Sequence, residues 1–256
     1  MSIASEIERI QTAKASIKTA IENKGIEVGN GTIDTYASKI DEMNNINFKI
    51  TNINNLFYQG FRMDIYDELM SLVDDITDMG GTFQRSSMTN IDLSDKNLSE
   101  CTNFNYAFGQ NSNLTEVKFP NQEINSAINM GNVFIQCTSL VNLDMSSFDF
   151  ENVTNVNSMF SGCSALTDFK SFENLGKGFT QTSKNFYAYQ LSFNSCDLTH
   201  ESLMSIINNL YDLNLAYDVA NGGTLYTQQL TLGSTNLAKL TSAEIAIATN
   251  KGWTVS

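Results

Sequence analysis

Four segments of the chain align without gaps at one spacing. They are Met-Thr-Asn-Ile-Asp-Leu (88–93), Leu-Thr-Glu-Val-Lys-Phe (114–119), Leu-Val-Asn-Leu-Asp-Met (140–145) and Leu-Thr-Asp-Phe-Lys-Ser (166–171), each starting 26 residues after the last. Two further columns keep the register: Phe108, Phe134 and Phe160, and Asn111, Cys137 and Cys163. A fixed period of this length limits what the chain can become. One repeat cannot bury its own apolar face, so successive repeats must stack and bury each other's.

The six-residue core reads L-x-x-L-x-L with substitutions, which at this period is the leucine-rich-repeat pattern. The expected fold is an α/β solenoid: a coil of 26-residue repeats with a short parallel sheet, helical caps and an N-terminal helical, coiled-coil-like arm. The inward columns are Met88/Leu114/Leu140/Leu166, Ile91/Val117/Leu143/Phe169 and Leu93/Phe119/Met145, and the last of these fails at Ser171. Between them the outward position reads Asp92, Lys118, Asp144, Lys170. In register these side chains lie about 4.8 Å apart. The alternation turns repulsion into a ladder of cross-strand pairs, which sets register more than it stabilises. The other reading of this strip is a ligand-facing surface made of Asn90, Asp92, Glu116, Lys118, Asn142, Asp144, Asp168 and Lys170.

A stack needs caps at both ends. Met63, Tyr66, Leu69, Met70 and Val73 have helical spacing, which predicts a helix over 61–77 stopped by Gly80-Gly81, with Asp74-Asp75 at its solvated end. On the other side Thr199 is a credible N-cap for a helix carrying Leu203, Ile206, Ile207 and Leu210, with His200 exposed in its first turn. Leu230-Thr-Leu-Gly233 reads as strand and turn. Thr241-Ser-Ala-Glu244 is a capping box before a helix stopped at Gly252, and Trp253 and Val255 alternate as a last strand. Trp253 is expected to anchor the cap core. The expected organisation is an arm over 1–46, an N-terminal cap over 47–82, repeats over 83–185, and further repeats with a cap over 186–256.

Residues 1–23 have no repeat character. Ile3, Ile7, Ile10, Ile17 and Ile21 form a heptad seam with Lys14 at its missing position. This seam is read as self-associating, with folding back on its own chain and docking to another protein as the alternatives. Isoleucine at both seam positions leans toward three strands, hence a homotrimer, and Lys14 would fix register. A turn-rich link and a second short helix over 32–43 follow.

Composition narrows the function. The 256 residues carry 15 Lys+Arg against 28 Asp+Glu, a net charge of −13, which argues against nucleic acid as a partner. No apolar stretch reaches the roughly 20 residues of a membrane span, and no secretory signal is visible, so synthesis in a cytoplasm is expected. Cys101, Cys137, Cys163 and Cys196 form no CxxC pair and are read as buried free thiols. With one His and no nucleophile elbow, phosphate loop or metal cluster, no enzymatic activity, cofactor or metal is expected.

Two resemblances rest on particular phrases. Leu56-Phe-Tyr-Gln-Gly-Phe-Arg, Leu143-Asp-Met-Ser-Ser-Phe-Asp, Asn152-Val-Thr-Asn-Val, Met159-Phe-Ser-Gly-Cys-Ser-Ala-Leu-Thr and Leu230-Thr-Leu-Gly-Ser-Thr-Asn-Leu-Ala-Lys-Leu give residues 56–256 a resemblance to the BspA-like leucine-rich-repeat family. That resemblance implies a solenoid that binds proteins or surfaces. Asn111 and Arg85 stand where its usual cysteine would be. Ala4-Ser-Glu-Ile-Glu-Arg-Ile-Gln-Thr-Ala-Lys and Gly31-Thr-Ile-Asp-Thr-Tyr-Ala-Ser-Lys-Ile look like the N-terminal module of phage tail-associated proteins. Together they imply a virion protein, tail- or fibre-associated. Residues 1–43 would meet other virion proteins, and the repeats would be displayed to a host-surface protein or glycan. A capsid decoration or connector protein and a bacterial surface adhesin are the alternatives.

Overall fold

The computed structural model of the chain describes residues 51–59, 70–71, 73–177, 190–215 and 228–256, all within the second of the two units into which the chain divides, Lys49–Ser256. Along the repeats, one side chain in about three turns inward. Leu98, Cys101, Phe104 and Ala107 are buried, then Phe108, Asn111, Leu114 and Val117. The next repeat does the same with Ile124, Ala127, Met130 and Val133, then Phe134, Cys137, Leu140 and Leu143. This period matches neither a helix, at 3.6, nor a strand, at 2.0. Short straight runs joined by corners produce it.

Each repeat holds one three-residue strand with a buried residue between two exposed ones: β1 (Asn90–Asp92), β2 (Glu116–Lys118), β3 (Asn142–Asp144) and β4 (Asp168–Lys170). β1 pairs with β2 and β3 with β4, both parallel, each residue opposite its equivalent one repeat on. β2 and β3 belong to different sheets, and the break falls where the exit corner changes. Asp92 Oδ1 accepts from Ser94 N at 2.9 Å and Ser94 Oγ at 2.6 Å, and Asp144 Oδ1 likewise from Ser146 at 3.0 and 2.6 Å. β2 ends in Lys118, and Pro120, with neither hydroxyl nor N–H, stands where the serine would be. Phe119 instead sits edge-on to Phe108 and Phe148, at centroid distances of 5.8 and 4.8 Å.

A second repeated unit faces another side. It reads Thr51-Asn-Ile-Asn-Asn-Leu-Phe, Thr77-Asp-Met-Gly-Gly-Thr-Phe, Thr102-Asn-Phe-Asn-Tyr-Ala-Phe, Ile128-Asn-Met-Gly-Asn-Val-Phe and Thr154-Asn-Val-Asn-Ser-Met-Phe. Its second residue (Asn52, Asp78, Asn103, Asn129, Asn155) accepts from the backbone N–H two residues on and bridges in parallel to its equivalent. Its fifth residue is left-handed: Asn55, Gly81, Tyr106, Asn132 and Ser158 have φ of 54 to 61°. The N–H groups of one unit reach carbonyls of the next, as in Phe57 N to Thr82 O (2.8 Å) and Phe108 N to Val133 O (3.0 Å). The closing phenylalanines Phe57, Phe83, Phe108, Phe134 and Phe160 stack into one spine that Phe193 continues, with centroids 4.7 to 6.0 Å apart and planes within 20°.

Beyond β4 the architecture changes. Helix α1 (His200–Asn209) follows β5 (Gln190–Ser192), and Thr199 caps it by accepting from Ser202 N at 3.2 Å. β6 (Gln228–Thr231) pairs parallel with both β5 and β7 (Trp253–Val255). Between β6 and β7 lie α2 (Gly233–Leu237) and α3 (Ser242–Asn250), the latter opened by the Thr241–Glu244 capping box. Trp253 is buried and its Nε1 donates to Tyr211 O at 2.9 Å.

Three expectations need correction. The helix expected over 61–77 does not reach its end. Asp75 bridges to Asn97 and Ile76 N donates to Asn97 O at 2.8 Å, so 73–77 is part of a coil turn, and Asp74-Asp75 is not a helix end. Residues 60–69 and 72 lie outside the described residues. Gly80-Gly81 lies in a repeat unit whose left-handed corner is Gly81, and is not a helix stop. The ladder therefore starts at Asn52, ahead of residue 83 where repeats were expected to begin.

Candidate functional site

All eight residues of the expected strip lie on exposed positions of β1 to β4. Asn90 stands opposite Glu116 and Asp92 opposite Lys118; Asn142 stands opposite Asp168 and Asp144 opposite Lys170. Lys170 Nζ meets Asp144 Oδ2 at 2.8 Å. Lys118 Nζ lies 3.9 Å from Asp92 Oδ2 and 3.7 Å from Glu116 Oε1. The expected single ladder is thus two ion-paired couples, one in each two-stranded sheet. Thr115 Oγ1 donates to Asn90 Oδ1 at 2.9 Å, which fixes the amide at one corner of the strip.

The Asp/Lys alternation follows from the corners. A carboxylate can cap the turn two residues on and an ammonium cannot. The bonds from the Ser94 hydroxyl and backbone hold the Asp92 carboxyl below its ordinary range. At Asp144 burial pushes the carboxyl up, but the bonds from Lys170 and Ser146 outweigh it and leave it below that range. Lys170 is raised by its bond to Asp144. These groups are charged near neutral pH, and each spends part of its hydrogen-bonding capacity inside the chain.

The four cysteines are chemically quiet. Cys101, Cys137, Cys163 and Cys196 are all free and buried. Burial pushes Cys101, Cys137 and Cys196 up to about 12, and Cys163 higher still. Cys137 Sγ donates to Phe108 O at 3.1 Å and Cys163 Sγ to Phe134 O at 3.0 Å. Asn111, fully buried in the same column, sends Nδ2 to Phe83 O at 2.7 Å and Phe108 O at 2.9 Å. Its equivalent one repeat earlier is Ser86, not Arg85. Met88 comes five positions after Phe83, where Leu114 comes six after Phe108, so the register slips by one. Arg85 instead joins Gln59, Gln110 and Gln136 at a left-handed corner, and its Nε donates to Gln110 Oε1 at 2.7 Å.

His200 is exposed, and its Nε2 meets Glu244 Oε1 at 2.8 Å, tying α1 to the capping box of α3. Lys251 Nζ donates to Asn208 O at 2.7 Å and Leu210 O at 2.9 Å, closing the C-terminal end of α1. No group of three or more His, Cys, Asp or Glu among the described residues could hold a metal ion, and no described helix is long and apolar enough to cross a membrane. The seam residues Ile3, Ile7, Ile10, Lys14, Ile17 and Ile21 lie outside the described residues.

The face that the sequence reading missed is the Thr-Asn unit. Its signal is a polar column, the Asn or Asp that opens each turn, which recurs from Asn52 to Asn155. Asn103 Nδ2 donates to Asp78 Oδ1 at 3.0 Å and Asn155 Nδ2 to Asn129 Oδ1 at 2.8 Å, so amides tie neighbouring repeats. Together with Gln84, Arg85, Gln110 and Gln136 they form a second polar edge.

A family model described as "Mycoplasma protein of unknown function, DUF285" matches this chain over residues 32–116 and again over 51–174. The two matches together span more than half of the chain. No curated protein and no solved structure matches it.

Proposed function

The chain belongs to the DUF285 family, and from that premise we propose that it is a non-enzymatic display protein built on a leucine-rich-repeat solenoid. In this reading residues 1–43 anchor it, as a homotrimer, to other proteins of a phage virion, tail- or fibre-associated. The repeats present polar faces to a host-surface protein or glycan. The observation that carries the reading is the regular exposure of Asn, Asp, Glu and Lys on successive parallel strands of a stacked backbone. A rigid scaffold with adaptable polar side chains at fixed intervals suits recognition of an extended partner. The arm's resemblance to tail-associated modules supports the virion setting.

Removing residues 1–43 is expected to leave a folded chain that no longer enters particles and no longer sediments as a trimer. Incorporation of the truncated chain, or a strictly monomeric full-length chain, would sink the anchoring claim. The family's description names a cellular organism, which favours the second reading, a bacterial surface adhesin. Cell-surface labelling of a producing bacterium separates the two: an adhesin is labelled on intact cells, and a virion protein is found with particles. Capsid decoration is distinguished by where labelled antibody sits on the particle.

A further inference from the structure

In stack order the outer row of the strip reads Asp92, Lys118, Asp144, Lys170, and the row beside it reads Asn90, Glu116, Asn142, Asp168. Turned end for end, each row becomes its own complement. Asp92 then faces Lys170 of a second copy and Lys118 faces Asp144. In the neighbouring row Asn90 faces Asp168 and Glu116 faces Asn142, an amide against each carboxylate. This works because the number of strands is even. After β4 the next N–H acceptors are hydroxyls of α1: Phe169 N donates to Ser202 Oγ at 2.8 Å and Ser171 N to Ser205 Oγ at 3.1 Å, which ends the strip at four. With three or five strands of the same alternation, the rotation would set every charge against its like.

We infer that the strip is a docking face for a second copy of this chain, packed face to face with the two stacks running in opposite directions. The two-fold axis runs parallel to the strands, between β2 and β3, where the sheet is already divided. Docking breaks no pair inside either chain. The contacts Lys170–Asp144 and Lys118–Asp92 run along the face, and the new ones run across it, giving a checkerboard of alternating sign. The four side chains are 51 to 74 % exposed and available for it. An isologous contact doubles every one of these interactions. Four strands about 4.8 Å apart give a face on the order of a few hundred Å2, well under the roughly 800 Å2 per partner of a standard interface. The association is therefore weak and screened by salt, and gains strength where several copies are held together. It goes beyond the display reading and stands without it: a strip docked in this way is closed to a host-surface partner, and within that reading the two-fold contact would join separate trimers.

Zero-length carbodiimide coupling of the full-length chain, read by peptide mass spectrometry, tests the docking. Asp92 and Lys170 lie three repeats apart, roughly 14 Å along one stack, out of reach of a side-chain amide bond within one chain. A linked Asp92–Lys170 peptide therefore reports a second copy in the opposed orientation. It is expected at low salt. It should fall at least about fivefold in 0.5 M NaCl and about tenfold in Lys118→Glu, which sets like charges across the face. An equimolar mixture of Lys118→Glu and Asp144→Lys is expected to restore it, because those two positions face each other. Absence of the peptide from the wild-type chain at low salt, or a yield indifferent to Lys118→Glu, overturns the inference. So does a mixture of two variants, both folded by circular dichroism, that restores nothing. Should Asp144→Lys fail to fold for want of its bond to Ser146, salt dependence and Lys118→Glu still decide. Particle incorporation of the truncated chain bears on the display reading alone.

Discussion

Asn111 holds a place that thiols hold in the next two repeats, and it does the same work with more bonds. Its Nδ2 serves the carbonyls of Phe83 and Phe108, while Cys137 and Cys163 serve one carbonyl each. Asn111→Ala would remove one donor from each buried carbonyl, leaving Phe83 O to Ser86 N at 3.2 Å and Phe108 O to the Cys137 thiol at 3.1 Å, and is expected to cost about 2 kcal/mol in denaturant unfolding. Asn111→Cys is expected to cost less than half of that, because the column already accepts a thiol. Equal losses for the two variants would mean that volume, not the donor, matters. The thiols themselves give a pH prediction. Their folded pKa values lie above the unfolded value near 9.0, so the stabilisation is complete below about pH 9 and is lost as pH rises toward about 12. Unfolding midpoints measured from pH 7 to 11 should therefore fall above pH 9. A thiol reagent at pH 8 should label the native chain at none of the four cysteines and the unfolded chain at all. Rapid native labelling of Cys137 would contradict its place in the core.

The elements differ in how plainly their residues announce them. β1 to β4 were legible, since apolar columns 26 residues apart fix strand, register and facing side together. The caps of α1 and α3 were legible too, because Thr199 and Thr241–Glu244 act within one turn of chain. The turn over 73–83 was not. Val73, Ile76 and Met79 are spaced by three and are all buried, a spacing that i, i+3 arithmetic reads as a helix face. The coil makes the same spacing by turning one residue in three inward. Hydrophobic periodicity is likewise blind to the Thr-Asn unit, whose defining residues are polar and left-handed. The strip was legible as eight exposed positions, but its division into two couples was not. That depends on Pro120 standing where Ser94 and Ser146 close the corner. Gly176 shows how tightly the two ends of this region meet. Its φ is +95°, and an added Cβ would overlap Trp253 Cζ2. Gly176→Ala is thus expected to cost about 3 kcal/mol or more, through backbone strain and displacement of the indole. Trp253 fluorescence should shift to longer wavelength in the variant. An unchanged spectrum and melting curve would mean that the indole is not packed there.

At the scale of the whole molecule, the proposed solenoid makes the chain quasi-one-dimensional: among the described residues, the Phe spine runs from Phe57 to Phe193 and the turn ladder from Asn52 to Asn155, each joining a repeat to its neighbours. One repeat can then be removed without changing the nature of the contacts that remain. Deleting residues 115–140 joins Leu114 to Val141 and regenerates an L-x-x-L-x-L-type core. It sets Phe108 over Phe160 in the spine and brings Asn103 beside Asn155 in the ladder. The shortened chain is expected to fold, to unfold cooperatively at a lower temperature, and to keep the spectrum of short parallel strands. Its outer row would read Asp92, Asp144, Lys170, and an end-for-end partner would then set Asp144 against Asp144. The Asp92–Lys170 cross-link between chains, told from one within a chain by mixing isotope-labelled and unlabelled protein because the two residues now lie only two repeats apart, should therefore fade although both residues remain. An unfolded deletion product would count against a modular stack. A folded product that still yields the cross-link at full strength would mean that charge order along the strip does not govern pairing, so the single deletion tests the repeat and the face by separate readouts.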